Sequence, residues 1–292
     1  GSEMCIRDRV VGDKVYLPSL TLEQKIAQMV IAIGDKRFID DWKKLKVGGV
    51  HMYTFEDEEE YVERISSLQD GMDVPFFITA DLEGCVSPFP HIREFRTFAD
   101  ISSQGEAYEL GFEQGKYLSE LGFNFDFSPV VDLEDNIWGC RSFMGDEDTV
   151  SKYAEAYMAG LNSQGILTTA KHYPGKTLVG NDPHLEIAAA TIDKKDLYPY
   201  NYLGDKPDAI MVSHIITSGE VDSEGIPSVM NPKVISNLKK NFNGLVITDE
   251  IHMLGLKKYY SDIDEMYLTP FLAGHDMVLN FDNDINEMYR FI

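Results

Sequence analysis

The 292-residue sequence carries 49 Asp and Glu against 26 Lys and Arg, a formal charge of −23. That balance excludes the basic stripe that a phosphate-backbone binder needs and offers little to anionic lipid. A hydrophobic content of 43%, with 16 Phe and 15 Tyr, is too rich for a disordered chain, and no run approaches the ~18 apolar residues that span a bilayer.

Residues 1–9 begin Gly1-Ser2 and show no periodicity; they read as a non-native tail, and the fold is sought in residues 10–292. From there, short apolar, β-branched runs alternate with amphipathic stretches. The strand candidates, in chain order, are residues 29–33, 47–53, 75–81, 123–133, 166–173, 209–215, 245–251 and 276–281. Several are apolar at consecutive positions, as parallel strands covered on both faces should be. Helical periodicity fills residues 58–68, 105–121, 149–163 and 232–241. Asn231 before Pro232 marks a helix start, and Gly165 and Gly244 follow helix ends. The acidic run 56–60 reads as a solvated helix N-terminus, where the helix dipole favours negative charge.

Eight such units without a Pro/Gly/Ser-rich linker predict an α/β protein, a single-domain TIM-type (β/α)8 barrel occupying residues 10–292, with no length left for a second domain. A doubly wound sheet would use a GxGxxG turn after an early strand, and none is present. Three cysteines (Cys5, Cys85 and Cys140) form no CxxC pair. The odd count predicts no disulfide framework and no cysteine-built zinc site. No signal peptide is visible. The expected location is cytoplasmic, or periplasmic or secreted if a leader preceded these residues.

In such a barrel, function collects where strands end. Those positions hold Asp81, Asp132, Lys171 with His172, His214, and Asp249 with Glu250. Unpaired charges in a core would cost several kcal/mol, roughly 3–5 each, so these residues should line a polar pocket. His172, His184 and His214 lack the HxH or i,i+4 spacing of a metal site, so no metal or other cofactor is expected. Lys171 is open to a Schiff-base role. The reading that remains favoured is a carboxylate nucleophile, Asp249, with a proton donor supplied by a loop.

Several segments resemble glycoside hydrolase family 3. Residues 171–175 (KHYPG) followed by 182–184 (DPH) are similar to the family's KHFPGHG…DSH signature, with matching spacing. Residues 246–250 (VITDE) resemble its nucleophile strand. Ordered matches at 20–27, 47–53, 78–84, 125–132, 141–143, 211–215 and 273–279 extend the likeness over nearly the whole chain, nearest the single-domain bacterial β-N-acetylglucosaminidase branch. The resemblance implies a retaining exo-β-glycosidase, most simply a β-N-acetylhexosaminidase. Asp249 would be the nucleophile, and His184 the acid/base, oriented by Asp182 on the loop 175–187. Asp81, Arg141, Lys171, His172 and His214 would hold the sugar. The implied partner is a β-linked aminosugar or hexose, with no nucleic acid and no membrane insertion.

The chain departs from the pattern at the pocket. Where the family reads EGGRVQR, residues 83–89 read EGCVSPF, and both arginines are gone. Lys176 stands where the signature has its second histidine, and Pro183 splits the dyad. These changes bear first on sugar specificity. They leave a β-glucosidase, a β-glycoside phosphorylase and a catalytically silent sugar-binding barrel as alternatives, since a neutral imidazole repels an incoming phosphate less than a carboxylate would.

Overall fold

The computed structural model describes residues 10–11, 14–180, 187–253, 256, 260, 262–282 and 284–292. Each of the eight apolar runs contains a strand: β1 Val30–Ile33, β2 Gly49–His51, β3 Phe77–Ala80, β4 Phe125–Asp126, β5 Thr169–Tyr173, β6 Ala209–Val212, β7 Leu245–Thr248 and β8 Val278–Asn280. They form two parallel sheets, a five-stranded one in the order β8-β1-β2-β3-β4 and a three-stranded one in the order β7-β6-β5. Isolated parallel bridges connect the sheet edges, Phe125 to Leu167 and Val130 to Lys171 on one side and Ile247 to Met277 on the other. The fold is α/β with parallel sheets, as the unbroken apolar runs require.

The helices begin where the sequence provides caps. In α1, Glu58–Gln69, the Asp57 side chain accepts from the Glu60 amide at 2.9 Å, and three glutamates fill the first turn. Helix α2, Gln104–Leu121, is capped by Ser103 and ends on Gly122. Helix α3, Glu147–Asn162, is capped by Asp146. In α4, Lys194–Leu203, Asp193 and Asp196 form a capping box. Helix α5, Pro232–Leu238, has Pro at its start and the Asn231 side chain accepting from two amides.

Two departures have local causes. The run 123–133 gives only a two-residue ladder, because Pro129 has no N–H to donate. Beyond it the backbone crosses to β5, with the Val131 amide on the Lys171 carbonyl at 2.7 Å. A further parallel pair, Ala189–Ile192 with Ile216–Gly219, escapes pattern reading because it is short and largely exposed. The core divides in two. A large cluster joins strands to helices, and a smaller one, built on Ile31, Phe125, Phe127, Ala209, Met211, Ile247, Met277 and Leu279, draws its buried members from the strands and the residues flanking them.

The expectation of no disulfide is corrected. Cys85 and Cys140 are bonded, with Cα atoms 5.6 Å apart and a separation of 55 positions in sequence. Counting rules detect short-range Cys patterns, whereas these two lie on the loops that follow β3 and β4, neighbouring strands of one sheet. Cys5 lies outside the described residues.

Candidate active site

The C-terminal ends of β3, β4, β5 and β7 surround a cavity of about 290 Å³. Asp81, Glu83, Arg141, Lys171, His172, Asp249 and Glu250 line it, together with the aromatic rings of Tyr53, Trp138 and Phe281. Six of these seven polar groups come from the strand-end residues and the resemblance; Glu83 was assigned no role in advance.

Strand β5 supplies two consecutive residues to one cavity, which a regular strand cannot do because its side chains alternate. A register shift explains it. Lys171 pairs with Met211 and Tyr173 with Val212, so His172 is an extra residue in the ladder. Such a bulge re-aims side chains.

The floor is an ion network. Lys171 Nζ donates to Asp81 Oδ1 at 2.6 Å and lies 3.1 Å from Glu83 Oε2. Arg141 Nη2 donates to Glu83 Oε1 at 2.5 Å, and its guanidinium lies 4.5 Å from the centre of the Trp138 ring. Burial raises the Asp81 carboxyl, but Lys171 and the neighbouring His51 outweigh it and hold the pKa below the usual carboxylate value. Glu83 goes the other way: burial dominates over Arg141 and Lys171, and its pKa is raised. Burial alone would lower Lys171, yet Asp81 and Glu83 raise it. Lys171 is therefore a held ammonium, which removes the Schiff-base reading, since that chemistry needs a free amine.

Two buried groups shape this floor from behind. The His51 ring stacks between Phe127 and Phe281, with Nε2 3.6 Å from Asp81 Oδ2. Burial lowers its pKa to about 4, so the ring is neutral near pH 7. The Asp126 carboxylate accepts from the Leu82 amide at 3.0 Å and from the Ser128 hydroxyl, fixing the backbone between Asp81 and Glu83. Neither was singled out from sequence. His51 sits in an apolar run and Asp126 between two phenylalanines, and only their placement gives them meaning.

His172 Nδ1 is 3.2 Å from Asp132 Oδ2. Burial pushes the Asp132 carboxyl up to about 8, although Arg141 pulls the other way. His214 is not among the residues lining the cavity; its Nε2 donates to the Glu250 carbonyl at 2.7 Å. On the opposite wall the Asp249 amide donates to the Val212 carbonyl at 3.0 Å, and Asp249 Oδ1 accepts from the Glu250 amide at 2.8 Å. Glu250 Oε1 accepts from the His252 and Phe281 amides. Asp182 and His184 lie outside the described residues. Thr177 and Leu178 line the cavity, and Lys176 donates to the Thr191 carbonyl at 2.7 Å and pairs with Asp193 and Asp196. Among the described residues no group of three His, Cys, Asp or Glu side chains is placed to hold a metal, and no helix is long and apolar enough to cross a membrane.

Largely compensated charges, aromatic walls and a carboxylate at the rim suit a neutral, hydroxyl-rich ligand with one electrophilic carbon. On a parallel α/β scaffold, that combination defines a glycoside hydrolase domain. Residues 21–292 match the model of the Glycosyl hydrolase family 3 N terminal domain, and the chain belongs to that family. A Beta-N-acetylglucosaminidase/beta-glucosidase from Cellulomonas fimi is 28% identical over 96% of this chain and 55% of its own length. A Beta-hexosaminidase from Idiomarina loihiensis is 27% identical over 87% of this chain and 83% of its own. Among solved structures, a glycosyl hydrolase of the same family from Mycobacterium smegmatis superposes with a TM-score of 0.82 at 25% identity, covering 94% of this chain and 90% of that one. The chain thus spans little more than half of the Cellulomonas protein and most of the other two.

Proposed function

We propose that this chain is a retaining exo-β-glycosidase acting on β-N-acetylhexosaminides, and that residues 10–292 form one (β/α)8 barrel. The barrel reading is supported by the bridges between sheet edges and by the apolar cluster drawn from strands and their flanks. The names of the relatives from Cellulomonas and Idiomarina favour the aminosugar. The observation that carries the functional reading is Asp249 on one wall of a cavity whose other wall is the Asp81–Lys171–Glu83–Arg141 network.

In this mechanism, Asp81, Arg141, Lys171 and His172 hold the sugar hydroxyls, and the aromatic walls cover its apolar faces. Charged donors and acceptors make the stronger hydrogen bonds, so Asp81, Arg141 and Lys171 do most to orient the ring. Asp249 attacks the anomeric carbon as the glycosidic bond breaks, giving a covalent glycosyl-enzyme. His184, oriented by Asp182, protonates the departing oxygen. It then takes a proton from water, which releases the sugar with its configuration retained. Histidine suits both steps because its ordinary pKa lies near neutrality. His214 acts indirectly, by fixing the Glu250 carbonyl and so the turn that carries Asp249.

A panel of aryl β-glycosides, with and without phosphate, tests this reading. The N-acetylglucosaminide should be cleaved fastest, with water as acceptor, and Asp249→Ala should abolish release. Glycosyl phosphate as the product would make the enzyme a phosphorylase. No turnover of any sugar, or full activity in Asp249→Ala, overturns the proposal.

A further inference from the structure

We propose that the Cys85–Cys140 disulfide is a positioning element of the sugar-binding network, holding Glu83 and Arg141 in register so that its reduction reversibly weakens substrate binding. This rests on the reading that Arg141 and its partners contact the sugar.

The two loops it joins are each folded from within. After β3, Glu83 and Val86 exchange both backbone hydrogen bonds at 2.9 Å, closing a turn with Gly84 at φ +59° and Cys85 on its exposed side. After β4, the loop wraps around the Asp135 carboxylate, which accepts from the amides of Trp138, Cys140 and Arg141 at 2.8–3.0 Å. The loops meet backbone to backbone: a Cβ on Gly84 would lie 2.0 Å from the Cys140 carbonyl oxygen. The Arg141–Glu83 ion pair and the disulfide both cross this seam. Cys140 is the residue before Arg141, and Cys85 is two after Glu83.

An ion pair holds only while both partners stay in place. Glu83 is buried and receives Arg141 on one oxygen and Lys171 on the other. If the loops part, Glu83 loses a cation in a site that disfavours its charge, and Arg141, carried with Trp138 on the loop that wraps Asp135, leaves the cavity floor. The covalent link opposes that motion and limits the error in Arg141 placement, where a shift of about 1 Å is enough to cost binding. Cys85 is exposed, so a dithiol can reach it. One thiolate attacks Cys85 Sγ and the S–S bond breaks, its electrons going to Cys140, which takes up a proton. The second thiolate then closes the reagent's own disulfide and releases Cys85, which is protonated in turn. Two electrons and two protons pass from the reagent to the protein.

The test uses the intact enzyme and an aryl β-N-acetylglucosaminide, assayed oxidised, after dithiothreitol, and after reoxidation with oxidised glutathione. A Cys85→Ser/Cys140→Ser double variant, which keeps Cys5, runs alongside, and thermal melts establish that each form is folded. Reduction should raise KM about tenfold with kcat changed less than about twofold, the pattern of lost uniform binding. Reoxidation should restore KM, and the double variant should match the reduced enzyme and ignore the reagent. A second readout needs no turnover. Of the two tryptophans, Trp42 is fully buried, so a change in acrylamide quenching reports on Trp138, and quenching should rise on reduction. If no glycoside is cleaved, the glycosidase reading fails while this arm still decides whether the disulfide holds the loop. A lowered melting temperature with unchanged KM, or unchanged quenching, overturns the proposal.

Discussion

The two walls of the cavity are built by opposite means. On the side of β3, β4 and β5, the side chains of Asp81, Lys171, Glu83 and Arg141 pair with one another at 2.5–3.1 Å in a mostly buried network braced by a disulfide. On the side of β7, the carboxylates of Asp249 and Glu250 accept from backbone amides. A buried network of side chains is stiff and hard to dismantle, because removing one member strands its partners. Backbone amides orient a carboxylate and leave it its negative charge. The first wall is suited to hold a ligand and the second to react with it.

That contrast can be broken in four ways, the largest first. Asp249→Ala should lower kcat by about 10⁴-fold or more, the scale of a lost nucleophile, while leaving the denaturant midpoint almost unmoved; a large stability loss would mean that the second wall is structural too. Lys171→Met should do the reverse in kind, costing about 3 kcal/mol in urea unfolding because it strands Glu83, with part regained in Lys171→Met/Glu83→Gln. A neutral effect of the single substitution would dissolve the distinction.

The third concerns pH. His51 is neutral in the folded protein with a pKa of about 4, against 6.5 as an ordinary histidine. Because the unfolded chain binds the proton first, this contribution is whole above pH 6.5 and is lost as pH falls towards 4. Its slope approaches about 1.4 kcal/mol per pH unit. His51→Gln should flatten the stability curve in that window by up to one proton; an unchanged slope would show that His51 is charged beside Asp81. The smallest effect is expected for His214→Ala. With the Glu250 carbonyl released, kcat should fall about tenfold with KM held. A rise in KM alone would instead give His214 a direct contact with sugar.

The strands were legible because a parallel strand buried on both faces has no alternative to an apolar run, as β6 (AIMV) and β7 (LVIT) illustrate. Polar residues at such runs were legible for the same reason: Asp81 and Asp249 directly follow β3 and β7, Lys171 and His172 interrupt β5, and the apolar pattern has no other use for them. What escaped depends on neighbours in space. Glu83 becomes significant only when Arg141 arrives from 58 positions away, and Cys85 and Cys140 only when two adjacent strands bring their loops into contact. His51 is hidden by its own run, because a neutral histidine between two phenylalanines packs like the apolar residues around it.

The central claim is that Asp249 forms the covalent bond to sugar. Incubation with a 2-deoxy-2-fluoro-β-glycosyl fluoride, or with a 5-fluoro aminosugar analogue, followed by proteolysis and mass spectrometry, tests it directly. The account predicts one glycosyl adduct, on the peptide containing Asp249, forming as activity is lost and absent when the substrate competes. An adduct on another carboxylate, or steady turnover of the reagent with inversion at the anomeric carbon, would contradict it.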